Sequence, residues 1–239
     1  MRYAVIAAGE GSRLSQEGVA VPKPLVEVGG ERLIGRLLRI FMDCGATDIC
    51  VVTNSQHPET SAYLEQCRRT GVPLHYVVRT TPSSMHSFYE LQPLLDDGEP
   101  FILTTVDTVF REQEFHEYVA AWQQLASSGA ADGLMGVTDY IDDERPLYVR
   151  VGDGMTVSAF LDADASPHYI SGGIYGLTPA AFGILRSCIE KGESRMRNFQ
   201  RALLADGQLL KAWPFSKVLD IDHREDIKKA EELLNQQSR

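Results

Sequence analysis

Phosphate-binding chemistry is concentrated in a glycine-containing loop near the start of the chain. The loop follows an apolar run at residues 3–7, and it contains Ala8, Gly9, Gly11, Ser12 and Arg13. Two glycines one residue apart let a backbone turn tightly and point its N–H groups at phosphate oxygens. A guanidinium such as that of Arg13 presents a fork of donors to the same oxygens. We predict that this loop wraps the phosphates of a nucleotide; a plain strand-to-helix turn is the alternative.

Two widespread phosphate-binding motifs do not fit this loop. A dinucleotide-binding fingerprint needs a third glycine at the position that Leu14 occupies. The sequence also contains no G-x-x-x-x-G-K-[ST] motif, which a P-loop would require. These differences weaken a dehydrogenase interpretation and exclude a P-loop nucleotidase.

Lys23 lies between two prolines, in the run Val21-Pro22-Lys23-Pro24-Leu25. Because proline fixes its own φ, this bracket holds the lysine backbone and directs the ammonium group. We predict that Lys23 and Arg13 are catalytic residues near the reacting phosphates; for Lys23, an ordinary proline-rich surface turn is the alternative.

The two segments together carry a family resemblance. A-A-G-E-G-S-R-L, followed about ten residues later by P-K-P-L-V-E-V-G-G, resembles the signature of the nucleotidyltransferase superfamily that makes nucleotide sugars. That superfamily includes sugar-1-phosphate nucleotidyltransferases and cytidylyltransferases that act on phosphocholine. The resemblance extends more loosely over nearly the whole chain. It implies that the loop wraps a nucleoside triphosphate, that Arg13 contacts its phosphates, and that Lys23 supports the phosphates that react.

Three aspartates are candidates for binding a divalent cation. Asp107 follows an apolar strand, where open α/β sheets bind ligands. Residues 218–222 alternate, so Asp220 and Asp222 are expected on one face of a strand, where two acids repel unless a cation lies between them. The resemblance implies that Asp107 binds Mg²⁺, with Mn²⁺ as the alternative cation, and that Asp220 or Asp222 supplies the second ligand. Turn formation by Asp107 and helix capping by Asp222 are the alternatives.

The segment 80–87 joins a predicted strand to a predicted helix, and the resemblance implies that it reads the nucleobase. Ser83 and Ser84 are our candidates for hydrogen bonds to a base edge, although helix capping explains both serines equally well. The run from Ser83 to Phe88 is more similar to the cytidylyltransferase branches than to the others. We therefore favour a pyrimidine triphosphate.

The segment Tyr169–Tyr175 resembles the N-x-G-x-Y strand that lies beside the acceptor in this family, with serine in place of the asparagine. The resemblance implies acceptor contacts from Ser171, Gly173 and Tyr175. The Glu-Lys-Pro that many sugar enzymes carry upstream is absent. Lys217 is our candidate to replace its lysine at the acceptor phosphate.

Length, charge and pattern predict one α/β domain over residues 1–239: a three-layer sandwich with a mostly parallel central sheet, Rossmann-like and of GT-A type, and a small antiparallel lid at residues 140–178. The net charge of −10 argues against nucleic acid as a partner, and no apolar run is long enough to span a membrane. The start carries no signal peptide and the four cysteines have no C-x-x-C spacing, so we expect a cytoplasmic protein. The oligomeric state is left open.

The predicted reaction is an in-line attack by the acceptor phosphate on the α-phosphorus of the triphosphate, and we favour a sugar 1-phosphate as the acceptor. A phosphate monoester has its second pKa near 6, roughly, so it needs no general base. The alternatives are a cytidylyltransferase acting on phosphocholine or a similar phospho-alcohol, and a sensor that binds nucleotide or sugar without turnover. A glycosyltransferase lacks support because Asp107-Thr108-Val109 is not D-x-D, and a molybdopterin-type guanylyltransferase fits Pro22-Lys23-Pro24 less well.

Overall fold

The computed structural model describes residues 1–235. In chain order the strands are β1 (Arg2–Ala7), β2 (Glu27–Val28), β3 (Glu31–Arg32), β4 (Asp48–Thr53), β5 (Leu74–Val78), β6 (Phe101–Thr105), β7 (Thr108–Phe110), β8 (Gly133–Thr138), β9 (Tyr148–Val151), β10 (Val157–Leu161), β11 (Tyr169–Leu177), β12 (Leu210–Phe215) and β13 (Val218–Asp220). The α-helices are α1 (Ser12–Gln16), α2 (Leu33–Asp43), α3 (Pro58–Arg69), α4 (Ser84–Leu95), α5 (Glu112–Ser128), α6 (Ala181–Glu190), α7 (Met196–Ala205) and α8 (Arg224–Asn235).

A nine-stranded sheet forms the centre of the fold. Its main path runs β5-β4-β1-β6-β11-β8-β12, and the β9–β10 hairpin pairs with the start of β11. β1 is parallel to β4 and β6, β4 to β5, and β8 to β12, whereas β11 is antiparallel to its neighbours. The predicted α/β fold with a mostly parallel sheet is confirmed.

Two hydrophobic cores, one on each face of the sheet, make the three layers. In β1, Tyr3 and Val5 face the core that contains residues of α2 and α5, while Ala4 and Ile6 face the core that contains residues of α4 and α6. This alternation follows from the two-residue period of a strand. Because apolar residues cover both faces, the sheet is buried and its carboxyl edge is left for a ligand.

β11 lies in the middle of the main sheet, between β6 and β8. The antiparallel strands predicted within residues 140–178 are present, but β11 is part of the core of the fold rather than of a small lid. Its buried side chains, such as Ile174 and Leu177, continue the two cores and hold it there. The short strand β7 and the short helix α1 were not predicted, because neither carries enough residues to show a hydrophobic period.

Helix length and polarity give one further finding. Among residues 1–235, no helix is both long and apolar enough to cross a membrane.

The four cysteines, Cys44, Cys50, Cys67 and Cys188, are all unpaired thiols.

Candidate active site

A first cavity of about 520 Å³ opens beyond the carboxyl ends of β1 and β6. It is formed by the glycine loop, the lysine segment, the start of α4 and the loop that follows β6. The residues predicted from sequence that line it are Ala8, Gly9, Gly11, Ser12, Arg13, Lys23, Ser83, Ser84, Asp107 and Asp222. The fold therefore brings the start of the chain, the start of α4, the loop after β6 and Asp222 to one place.

The glycine loop packs directly against the lysine segment. Gly11 has φ +62°, and a Cβ at this position would lie 3.0 Å from the Cβ of Lys23. Glycine is needed there both for the left-handed backbone and for the close approach. Asn54, a buried residue that the sequence did not single out, donates from Nδ2 to the carbonyl oxygen of Ala8 at 3.1 Å and fixes the start of the loop.

Lys23 is the centre of a charge cluster. Its Nζ donates to Oδ2 of Asp107 and, at 2.7 Å, to Oδ1 of Asp222. Arg13 donates from Nη1 to the other oxygen of Asp222, Oδ2, at 2.8 Å. The Lys23 side chain is only 10% exposed. Burial lowers the pKa of Lys23, but the charges of Asp107 and Asp222 outweigh burial and raise it, so the ammonium stays protonated.

Asp107 and Asp220 differ in their charge balance. Burial raises the pKa of Asp107, but the ammonium of Lys23 acts more strongly and holds it below its ordinary value. The Asp220 side chain faces open water in the cleft, yet the protein around it and the charge of Asp107 raise its pKa to about 7. Asp220 accepts a hydrogen bond from Oγ1 of Thr108 at 3.3 Å. The charge of Lys23 also lowers the pKa of Asp220, but it is outweighed there, whereas it prevails at Asp107.

The strand predicted to carry both Asp220 and Asp222 is shorter than expected. β13 pairs with β7, with Asp220 opposite Thr108, and it ends at Asp220. Ile221 is buried, and its N–H donates to the carbonyl oxygen of Asp107 at 3.1 Å. Asp222 then turns towards Arg13 and Lys23 instead of sharing a strand face with Asp220. The pairing with β7, which the sequence pattern did not show, places Asp220 beside the Asp107 loop.

The carboxylates of Asp107 and Asp220 fit a magnesium ion. Carboxylate oxygens are the hard ligands that Mg²⁺ prefers, and the ion usually takes one or two of them together with water and substrate phosphates. Within residues 1–235, no three His, Cys, Asp or Glu side chains are grouped to hold a metal by themselves. The surrounding protein first, and then the charge of Asp107, raise the pKa of Asp220, and a cation beside it would favour its ionised form.

Hydroxyl groups line the end of the first cavity that α4 closes. Thr81, Ser83, Ser84 and Ser87 all face it. Oγ of Ser83 accepts from the backbone N–H of His86 at 3.4 Å, so Ser83 caps the helix, as the alternative to base binding proposed. Oγ1 of Thr81 and Oγ of Ser87 are 2.6 Å apart. Thr81 and Ser87 are the hydroxyl residues that the sequence did not single out.

A second cavity of about 340 Å³ adjoins the first. Arg13 and Asp222 line both cavities and form the wall between them. The second cavity is otherwise built from the ends of β8, β11 and β13, the loop after β8 and the start of α8. Seven carboxylates line it, from Asp142, Asp143, Glu144, Asp220, Asp222, Glu225 and Asp226.

The residues predicted at the acceptor divide into two groups. Ser171 lines the second cavity and donates to Oε1 of Gln200 at 3.0 Å. Gly173, Tyr175 and Lys217 do not line either cavity. Tyr175 is buried in the core, where burial raises its pKa. The ammonium of Lys217 lies 4.0 Å from the ring centroid of Tyr140, a cation–π contact that holds it outside the cavity.

Gly173 has a structural role that its neighbours explain. Its φ is +70°, and a Cβ there would lie 2.7 Å from the hydroxyl oxygens of both Thr105 and Thr108. Those two hydroxyls are 2.5 Å apart, and that of Thr108 donates to Asp220. The glycine lets β11 pack beneath the segment that carries Asp107.

The acids of the loop after β8 are the largest omission of the sequence analysis. Asp142, Asp143 and Glu144 are consecutive and exposed, and the run D-Y-I-D-D-E-R is visible in the sequence. Such a run is usually a solvated surface, so only the fold shows that it faces a cavity beside the charge cluster.

Comparison with known proteins identifies the family of the chain. The model of one family, described as nucleotidyl transferase, matches residues 3–237. A CMP-5'-(3-aminopropyl)phosphonate synthase of Streptomyces rubellomurinus is 28% identical over 161 residues, covering 61% of this chain and 25% of that protein. A glucose-1-phosphate cytidylyltransferase of Salmonella typhi is 25% identical over 217 residues, covering 88% of this chain and 72% of that protein. The chain therefore spans a quarter of the first relative and most of the second.

The fold has close counterparts among solved structures. A Bacillus anthracis protein assigned as a glucose-1-phosphate thymidylyltransferase, solved with sucrose, superposes with a TM-score of 0.84 over 98% of this chain and 94% of its own. The two sequences are 19% identical, so this likeness shows that the three-layer fold is shared.

Proposed function

The chain belongs to the nucleotidyl transferase family, and we propose that it transfers a nucleotidyl group from a pyrimidine nucleoside triphosphate to a small phosphorylated acceptor in a Mg²⁺-dependent reaction. Membership confirms the resemblance predicted from the glycine loop and the lysine segment. Transfer to a phosphorylated small acceptor is proposed from the names of the relatives. The cation, the base and the acceptor are the parts that we propose.

The observation that carries the proposal is the wall between the two cavities. Arg13 and Asp222 form this wall, and hydrogen bonds join Asp222 to Lys23 and Lys23 to Asp107 on the side of the first cavity. A triphosphate and a phosphorylated acceptor must approach each other at one point, and their charges repel. Fixed cations at that point offset the repulsion most in the transition state.

Each residue has a role in an in-line displacement. The amides of the glycine loop and Arg13 bind and orient the triphosphate. Lys23 holds a positive charge beside the α-phosphate, while Asp222 orients both cations through its two oxygens. The acceptor oxygen bonds to the α-phosphorus as the bond to pyrophosphate breaks. No proton needs to be removed, because the acceptor phosphate is already mostly dianionic.

Asp107 and Asp220 are the proposed ligands of Mg²⁺, with Mn²⁺ as the alternative cation. Asp220 is favoured over Asp222 because both oxygens of Asp222 already accept from Lys23 and Arg13. Bound there, the ion would neutralise charge on the triphosphate and on the leaving pyrophosphate. The protein supplies two carboxylates at the end of β6 and β13, and the substrates complete the coordination.

The base and the acceptor are proposed from the cavity linings and the relatives. Thr81, Ser83, Ser84 and Ser87 offer hydroxyls to a base edge, and both relatives are named for cytidylyl products or reactions. CTP is therefore the first triphosphate to test. The named acceptors are a sugar 1-phosphate and an aminoalkyl phosphonate, so phosphonates belong among the candidates.

The setting follows from composition. Four unpaired cysteines are typical of a reducing compartment, which supports the cytoplasmic location that we propose. The net charge of −10 disfavours a nucleic acid partner.

The test is a matrix of nucleoside triphosphates against phosphorylated acceptors, read by pyrophosphate release and by product mass, with Mg²⁺ and with excess chelator. We expect turnover with CTP or another pyrimidine triphosphate, and none in chelator. Preference for ATP or GTP would contradict the base assignment. Binding without turnover of any pair would identify a sensor instead.

A further inference from the structure

The second cavity has an unusual charge for a site that must receive a phosphorylated molecule. Seven carboxylates line it, whereas the permanently charged cations among its lining residues are Arg13 and Lys229. A phosphate ester alone would be repelled by such a lining. Asp220 and Asp222 have roles in the transfer reaction, but the other five acids need an explanation that the reaction does not give.

Part of this negative charge is compensated within the protein. Asp142 pairs with Lys229 at 2.8 Å, and Glu144 lies 3.7 Å from Arg13. Oδ2 of Asp226 accepts the backbone N–H groups of Asp222 and His223, at 3.1 and 2.7 Å.

Asp143 and Glu225 have no such partner. Within residues 1–235, neither has a Lys or Arg nitrogen within 4.0 Å of its carboxylate, although both line the cavity. Among the described residues, the one hydrogen bond to the Asp143 side chain comes from the N–H of Arg145, at 2.8 Å. Two acids from different parts of the chain, the loop after β8 and the start of α8, thus add uncompensated negative charge to the same cavity.

The position of the cavity makes it the place for the acceptor. It meets the first cavity at Arg13 and Asp222, so a molecule inside it can present its phosphate to the charge cluster at Lys23. Resting on the proposed function, we propose that the acceptor carries a primary ammonium group as well as a phosphate or phosphonate. The anionic end lies at the wall, and the ammonium lies against Asp143 and Glu225.

The lining favours a primary ammonium over a quaternary one. Recognition of quaternary ammonium uses open aromatic faces. Tyr140 is the one Tyr, Phe or Trp side chain among the described lining residues, and its ring already holds the ammonium of Lys217 at 4.0 Å. Carboxylates accept N–H hydrogen bonds, which a primary ammonium offers and a trimethylammonium does not. Phosphocholine, an alternative raised by the sequence, is therefore disfavoured.

The experiment compares acceptors that differ in charge and little in shape. The triphosphate is CTP and, where it differs, the one that the matrix of triphosphates and acceptors selects. With it, kcat/KM is measured for 2-aminoethyl phosphate beside propyl phosphate, and for 2-aminoethylphosphonate beside propylphosphonate. Glucosamine 1-phosphate beside glucose 1-phosphate forms the third pair, and phosphocholine is included. We expect the amine of at least one pair to exceed its neutral partner by roughly 10–100-fold, the worth of hydrogen bonds to a charged group. The pair that responds distinguishes an amino sugar from an aminoalkyl acceptor.

Variants locate the effect. Asp143→Asn should lower kcat/KM for the preferred amine by about tenfold, and leave its neutral partner unchanged, because only a cation gains from that charge. Glu225→Gln should act in the same direction. Asp139→Asn is the matched control, since Asp139 is an exposed acid of the same loop that lines neither cavity, and it should alter neither substrate.

The outcomes separate this inference from the function on which it rests. Equal turnover of amine and neutral partner in every pair overturns the inference and leaves nucleotidyl transfer intact, as does a clear preference for phosphocholine. An equal loss for both partners in Asp143→Asn also overturns it, because the acid would then serve the reaction centre. Failure of every acceptor with every triphosphate removes the proposed function, and the inference falls with it.

Discussion

The two cavities are built in different ways, although they meet at one wall. The first is lined by two contiguous segments near the start of the chain and by the start of α4, with backbone amides, hydroxyls and the cations Arg13 and Lys23. The second is assembled from strand ends, one irregular loop and α8, and carboxylates dominate it. One cavity suits a polyanion that many enzymes use, and the other suits a molecule with positive charge.

The comparison teaches where generality and selectivity lie in this molecule. A triphosphate needs the same donors whatever the acceptor, so short motifs with fixed spacing are enough to bind it. Choice of acceptor depends on a few charges held in place by tertiary structure. The following experiments change residues at one cavity or its supports and measure the effect on turnover, binding or stability.

The largest effect is expected at Asp107. Asp107→Asn removes one of two proposed metal ligands and a charge partner of Lys23, so turnover should fall to background with either member of any acceptor pair. Pyrophosphate release is the measurement, with thermal unfolding to show that the fold is kept. Asp43→Asn, an exposed acid on α2 that pairs with Arg39, is the control and should be fully active. Full activity of the wild type in excess chelator would sink the metal assignment.

Substitution of Lys23 tests whether the charge cluster at the wall contributes to catalysis or only to binding. Lys23→Ala should lower kcat by on the order of 10²–10³, the usual cost of one preorganised group, with a smaller change in triphosphate affinity. Lys23→Arg should not restore activity, because a planar guanidinium cannot occupy the same point between Asp107 and Asp222. Steady-state kinetics and direct triphosphate binding give the two quantities. A variant that keeps kcat and loses only affinity would make Lys23 a binding residue.

Gly173 tests the strand that supports both cavities. Gly173→Ala places a Cβ 2.7 Å from two threonine hydroxyls at a φ of +70°, so we expect a loss of roughly 1–3 kcal/mol in the free energy of unfolding. Gly183→Ala is the matched control, because Gly183 lies inside α6 with no atom within 4 Å of its Cβ position. It should gain roughly 0.5–1 kcal/mol. Denaturant unfolding measures both, and equal stabilities of the two variants would contradict the packing argument.

The smallest effect is expected at His223, at the edge of the second cavity. Its Nδ1 lies 2.6 Å from Oε1 of Glu17, and this hydrogen bond raises the pKa of His223 above 6.5. The N–H of Arg224, and then His223, lower the pKa of Glu17 below 4.5. Because its pKa is raised, His223 adds stability at low pH, and this stability is lost as the pH rises through the pKa of His223 in the folded protein. Because its pKa is lowered, Glu17 adds stability at higher pH, and this stability is lost as the pH falls through the pKa of Glu17 in the folded protein.

The pair should therefore stabilise the protein most between about pH 4.5 and 6.5. The difference in Tm between wild type and His223→Gln, measured from pH 5 to 9, should be largest near pH 6 and shrink as pH rises. Glu17→Gln should give the same trend with pH. A Tm difference that stays constant across this range would show that His223 acts by packing alone.

The first cavity was largely predictable from the sequence, and the reason is local. The glycine loop, Arg13 and Lys23 are close in the chain, and their residue types state their chemistry before any fold is known. Asp107 could be placed because it follows a central apolar strand, and strand ends of a parallel sheet share one edge. The fold class followed from the alternation of strands and helices.

The second cavity was mostly missed, because it depends on contacts between distant segments. β13 pairs with β7, which the sequence did not predict, and it ends at Asp220, so Asp220 and Asp222 do not share one strand face. Lys217 was expected at the acceptor phosphate, but Tyr140 holds it outside the cavity. The sequence pattern predicts antiparallel strands within residues 140–178, yet not that Gly173 lies under two threonines. The local sequence around a residue does not show which distant residues it contacts in the folded protein.

The acidic loop between β8 and β9 has a consequence for how such proteins diverge. Residues 139–145 are mostly exposed and belong to no strand or helix, so substitutions there cost little stability. The charge cluster is held elsewhere, by β6, β13 and the glycine loop. A lineage could therefore exchange one acceptor for another through a few surface substitutions, each tolerated by the fold, while the machinery that activates the nucleotide is inherited unchanged.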